Sequence, residues 1–176
     1  SITLSKIGDT LSKFGDAVDY TITLNNTSSA DSPNLVCTIS DTKLGFSKPV
    51  TLASGANDIN TVTGHTVPAE AADPYINTAS VSCSPVGFPN VLTASDSHSV
   101  NLFQPAISLA KSGTPLSKIG DDVNYTITLN NDSSADTPAI ECTITDAQLS
   151  VSKTVTLAYG ASDIHHVTGH HVPEAA

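Results

Sequence analysis

The chain has 176 residues, a net charge of −10, seven lysines with no arginine, and neither Met nor Trp. Neutralising phosphates needs clustered Lys and Arg, so composition argues against nucleic acid and against anionic membrane surfaces as partners. No apolar run is long enough to span a bilayer, which argues against membrane insertion.

The first residue is Ser, and no signal-peptide pattern follows, so a processed or interior piece of a longer protein is expected. Within it the sequence repeats with a period of 105 residues. Ser1–Ala71 aligns without a gap on Ala106–Ala176, with 44 of 71 positions identical. Such regularity points to a structural module strung into an array and away from a one-site enzyme. The predicted domains are a complete repeat over 1–105 and a partial one over 106–176. The stretch Ala72–Pro105 has no counterpart in the second copy.

Short alternating segments separated by turn clusters predict strands, and helical periodicity is nearly absent. Ile2 and Leu4 begin the first strand, with Gly8 after it. Val18, Tyr20, Ile22 and Leu24 alternate with polar residues and predict a second strand with one buried face, so Tyr20 and its copy Tyr125 should both be buried. The loop NNTSSADSP follows, rich in turn formers. Leu35, Cys37 and Ile39 give a third strand closed by Asp41, and Val50 and Leu52 a fourth. The fifth runs from Ile59 to Val67, with Gly64 expected to bulge. Ile76, Ala79, Val81 and Cys83 mark the sixth, and Val91 to Phe103 the seventh. Gln104-Pro105-Ala106 leads directly into the second copy, where proline stiffens the join and favours an extended rod.

The pattern Gly-Asp-x-Val-x-Tyr-Thr-Ile-x-Leu-x-Asn opens both copies, at Gly15–Asn26 and Gly120–Asn131. With the strand ending in Asp41 and the tract INTASVSC, it resembles the Ig-like conserved-repeat domains of long bacterial and archaeal surface proteins. That resemblance implies an all-β chain of tandem immunoglobulin-like sandwiches with Greek-key antiparallel strands, the second copy lacking its last two. It also implies an extracellular, cell-surface role as stalk, adhesin arm or filament segment, with no catalytic motif.

Cys37 and Cys83 both occupy the inward phase. In immunoglobulin-like order they lie on the third and sixth strands, so a disulfide is open to them, as is the alternative of two buried thiols. Cys142 copies Cys37, and its partner would lie past the last residue of the sequence. The tract HHVTGHH places His165, His166, His170 and His171 close in sequence, as candidate zinc or copper ligands. Strand alternation splits them, with His166 and His170 on one side, unless Gly169 bulges. The alternative is solvent-facing histidine. Asp31, Asp41 and Asp58, copied as Asp136, Asp146 and Asp163, are candidates for calcium, although turn roles account for most of them. Asn25, Asn26, Asn124 and Asn131 begin glycosylation sequons, and the loop ones are candidates to carry a glycan clear of the surface; the alternative is chance sequons, common in a Ser/Thr-rich chain. No cofactor is required.

Copy two as written leaves Ile140, Cys142 and Ile144 uncovered beside an open strand edge. Either the chain continues, or strands from a neighbouring chain complete the sandwich by strand addition. The expected partners are therefore further repeats or neighbouring chains of a homopolymer. The expected function is non-enzymatic and structural. The rival is an adhesin-type module that binds a glycan or receptor through loops at one end.

Overall fold

A computed structural model describes residues 1–173. The described residues form strands and turns with no helix. The chain divides into two compact units, Ser1–Leu102 and Phe103–Ala176, the second described to residue 173.

The first unit contains eight strands: β1 (Ile2–Gly8), β2 (Leu11–Ser12), β3 (Ala17–Asn26), β4 (Leu35–Asp41), β5 (Phe46–Leu52), β6 (Asn57–Thr66), β7 (Tyr75–Pro85) and β8 (Leu92–Leu102). They make two sheets. One has the order β1-β3-β6, the other β2-β8-β7-β4-β5. All pairings are antiparallel except β2 with β8. Strict period-two alternation drives this. In β3, Val18, Tyr20, Ile22 and Leu24 are buried, and in β4 Leu35, Cys37 and Ile39 are. These residues join Leu52, Ala79, Val81 and Cys83 in apolar clusters drawn from both sheets, so the inner faces pack on one another. Pro49 is tolerated because β5 is an edge strand.

Two details differ from expectation. Ile76 is 49% exposed, because counting back from Ala79 in steps of two puts Asn77 and Tyr75 on the inward face. The two-residue strand β2 was not foreseen. The same Leu-Ser-Lys sequence occurs at Leu116–Lys118 without forming a strand, and Leu116 is 87% exposed. Among the described residues, only the first unit contains the β8 partner that makes the segment a strand.

Gly64 does bulge. Val18 pairs with His65 and Tyr20 with Val62, so β6 carries one extra residue there. Gly64 has φ +74°, a conformation side chains disfavour, and its N–H donates to the Asp19 carboxylate at 2.8 Å.

The second unit contains β9 (Ile107–Gly113), β10 (Asp122–Asn131), β11 (Ile140–Asp146), β12 (Val151–Leu157) and β13 (Ser162–His171). Sheet β13-β10-β9 keeps the register of β6-β3-β1, and β11 pairs with β12 as β4 does with β5. Among the described residues β11 has no second neighbour. The core is correspondingly small: Ile127, Leu129, Ile144, Val151 and Leu157. Tyr125 is only half-buried, against the expectation that it matches Tyr20, because among the described residues no strands of β7 and β8 type cover it. Ile144 is buried against Ile127 and Leu129, contrary to expectation, while Ile140 and Cys142 are partly exposed.

Candidate functional site

The chemically most distinctive place is a set of polar side chains inside the first unit. Lys6 lies in phase with Ile2 and Leu4 on β1, so its side chain enters the core and is fully buried. Its ammonium meets the Asp41 carboxylate at 2.5 Å, and Asp41 is fully buried too. The Lys6 Nζ also lies 4.2 Å from the centre of the Tyr20 ring, a cation–π contact. The backbone N–H of Lys6 donates to Asp96 on β8 at 2.7 Å, which fixes β1 across from the second sheet.

Asn77 belongs to the same neighbourhood. It is 0% exposed, on the inward face of β7 between Tyr75 and Ala79. Ala79 pairs with Asp96, the residue holding the Lys6 backbone, and Asn77 pairs with His98. The His98 ring packs edge-on against Tyr20 at 6.1 Å, the ring beneath Lys6. The turn after Asp41 covers this end of β7, since Lys43 donates to the Ile76 carbonyl at 2.6 Å. Neither the Nδ2 nor the Oδ1 of Asn77 has a hydrogen-bond partner, and the buried Tyr20 hydroxyl lacks one as well. Burial pushes the Tyr20 phenol up to about 12, helped by the nearby Tyr75, Asp41 and Asp9. Tyr75 is raised by burial and by Asp41, and its hydroxyl bonds His65 Nε2 at 2.8 Å.

The sequence reading missed this cluster. Its signal was present: a lysine in the inward phase of a strand, an aspartate closing another, and both repeated as Lys111 and Asp146.

Cys37 and Cys83 stand opposite one another on β4 and β7 and form a disulfide. Cys142 is a free, half-buried thiol. It borders a groove of about 350 Å³ lined by Ile107, Leu109, Leu129, Ile140 and Ile144, along the unpaired side of β11.

The histidines are regrouped by a second bulge. Val123 pairs with His170 and Tyr125 with Val167, so His165 and His170 share the inward phase, while His166 and His171 face solvent. His166 bonds Thr126 at 3.1 Å, His171 lies 3.4 Å from Asp122, and His170 packs edge-on against Tyr125. No group of three or more His, Cys, Asp or Glu side chains is brought into metal-binding distance among the described residues.

The aspartates are mostly engaged by lysine. Asp41 takes Lys6, Asp58 takes Lys48, Asp146 takes Lys111 and Asp163 takes Lys153. The cost of partial burial opposes ionisation of Asp58, but bonds from Lys48 and Asn60 outweigh it and hold the carboxyl below its ordinary range. The Lys111 bond lowers Asp146, and a Ser29 bond lowers the exposed Asp31. Asp136 is also engaged.

Two of the candidate glycan positions lie inside the fold. Asn26 and Asn131 are each 1% exposed. Their Nδ2 groups donate to the carbonyls of Leu52 and Leu157, at 3.1 and 2.9 Å, and their Oδ1 atoms accept from Ser28 and Ser133. The nitrogen a glycan would need is pinned in the fold. Asn25 is half-buried and bonds Thr3, and Asn124 is exposed, its Oδ1 accepting from Gly169 N.

Neither family models nor curated proteins yield a match to this chain.

Proposed function

We propose that the chain is a tandem immunoglobulin-like segment of an extracellular structural protein, whose modules extend, space or polymerise a surface stalk or filament. The observation that carries this reading is the repetition of one strand plan: β9, β10 and β13 keep the register of β1, β3 and β6, and β11–β12 that of β4–β5. A module type used twice suits a spacer better than a catalyst. The order β1-β3-β6 facing β2-β8-β7-β4-β5 supports the immunoglobulin-like reading, and the Cys37–Cys83 disulfide is consistent with an oxidising compartment. The unpaired side of β11 suits strand addition, by a further repeat segment or by a neighbouring chain.

The test is mechanical. The first unit is stretched between its ends in a single-molecule force experiment. A load-bearing module resists extension until it gives way in one sharp event at high force. Smooth extension at low force, without a discrete event, counts against the reading.

The adhesin reading draws on one feature, the tip between β7 and β8, where Val86, Phe88 and Val91 are all more than half exposed. Glycan-array binding abolished by Phe88→Ser would favour it.

A further inference from the structure

We propose that the first unit carries an internal amide cross-link, formed by its own side chains between the Nζ of Lys6 and the Cγ of Asn77, with Asp41 as the proton carrier. The cluster has the three parts such a reaction needs: an amine, a carboxamide, and an acid–base group on the amine. All three are enclosed in the core, where water does not compete. Lys6 is positioned twice, by Asp96 at its backbone and by Tyr20 under its ammonium. Asn77 is buried on the inward face of β7, and its pair partner His98 packs against the same ring.

The orphaned amide is the observation that points to reaction. A buried carboxamide with neither donor nor acceptor satisfied is unfavourable, and native folds avoid it. A buried ion pair likewise carries a desolvation cost. One condensation relieves both. Lys6 passes a proton to Asp41 and becomes a neutral amine, whose lone pair attacks Asn77 Cγ. An N–C bond forms. Asp41 protonates the departing Nδ2 and takes a second proton from the attacking nitrogen. The Cγ–Nδ2 bond breaks and ammonia leaves. Atoms and charge balance: ammonium, carboxylate and carboxamide become a secondary amide, a carboxylic acid and ammonia. The acid on Asp41 can then donate to the new amide oxygen. No oxidant, metal or cofactor is consumed.

The bond would tie β1 to β7, joining the two sheets covalently at a point separate from the disulfide, which links β4 to β7 within one sheet. The proposal concerns the first unit alone and stands whether or not the array reading holds.

The experiment is intact mass spectrometry of the folded 176-residue chain after full reduction and denaturation, followed by digestion at lysine. The expected mass is that of the sequence less one ammonia. The expected digest lacks cleavage at Lys6 and contains a branched peptide joining Lys6 to Asn77. Asn77→Ala and Lys6→Met should each restore the full sequence mass. The full sequence mass in the folded wild-type chain overturns the proposal. So does ammonia loss that persists in Lys6→Met, which would place the chemistry in a backbone succinimide at Asn77–Thr78. The branched-peptide readout uses only the wild-type chain, so a variant that fails to fold does not blunt the test.

Discussion

Cys37 and Cys83 occupy paired positions on neighbouring antiparallel strands, and their bond closes a 46-residue separation that includes β5 and β6. Constraining the unfolded chain over such a span contributes about 3–4 kcal/mol. Reducing the bond, or replacing Cys83 by Ser, should lower the denaturation midpoint of the first unit accordingly. Alkylation of Cys37 and Cys83 in the folded, unreduced chain would remove the basis for this expectation.

The two equivalent tyrosines should respond unequally to truncation. Tyr20 is 1% exposed and packed under Lys6, so Tyr20→Ala should cost about 3–5 kcal/mol. Tyr125 is half-buried, and Tyr125→Ala should cost about 1–2 kcal/mol. Unit-resolved hydrogen exchange during chemical denaturation separates the two losses, and equal losses would mean that the environments are the same.

Alkaline pH should unfold the first unit through Tyr20. Its phenol is raised from 10 to about 12 in the fold. A raised group gives its full contribution below the unfolded value and loses it as pH climbs through the folded one. Stability should therefore fall between about pH 10 and 12, and Tyr20→Phe should flatten that limb. The acid side runs the other way. Asp58 and Asp146 are held below the ordinary carboxylate range, so their contribution is present above it and is lost as pH falls. Asp58→Asn should shallow the acid limb in a titration followed by circular dichroism.

The bulge at Gly64 offers an internally controlled substitution. Asp19 accepts from Gly64 N, and in the second unit Asn124 accepts from Gly169 N at 2.9 Å. Asp19→Asn should thus be tolerated within about 0.5 kcal/mol, whereas Asp19→Ala should cost about 1 kcal/mol. Thermal melts of the two variants give the comparison, and indistinguishable variants would mean that the carboxylate does not hold the bulge.

The amides of β11 should divide by position. Those directed to β12 are protected, and those on the unpaired side exchange rapidly, giving an alternating pattern from Ile140 to Asp146. In β4, which is flanked by both β5 and β7, all of them should be slow. Uniform protection of β11 in a proven monomer would show that its edge is already covered.

Strand positions and phases were legible because alternation is a local property. Val18 to Leu24 and Leu35 to Ile39 announce their buried faces without reference to anything distant. Residues whose fate depends on a partner far along the chain were not legible. Leu11-Ser12 and Leu116-Ser117 are the same dipeptide in two environments. Tyr20 and Tyr125 share flanking sequence and differ only in what covers them. Asn26 and Asn131 read as loop sequons, because nothing local reveals that a carbonyl 26 residues away takes each amide. Lys6 was passed over because lysine defaults to the surface, and only its phase with Ile2 and Leu4 marks it otherwise.

The contrast between Lys6 and Lys111 also has a meaning in time. Both bind an aspartate at the end of a strand and lie over a tyrosine ring, but Lys6 is sealed while the Lys111 side chain is 39% exposed. The sealing elements in the first unit are β7 and β8, which a ribosome makes last. While Tyr75–Leu102 is still unmade, a nascent first unit holds the strands that the second unit displays. In a chain that folds from its N-terminal end, the lysine would stay wet until β7 docks, bringing Asn77 with it. On the cross-link proposed above, chain order would thereby keep amine and carboxamide apart until the fold encloses them.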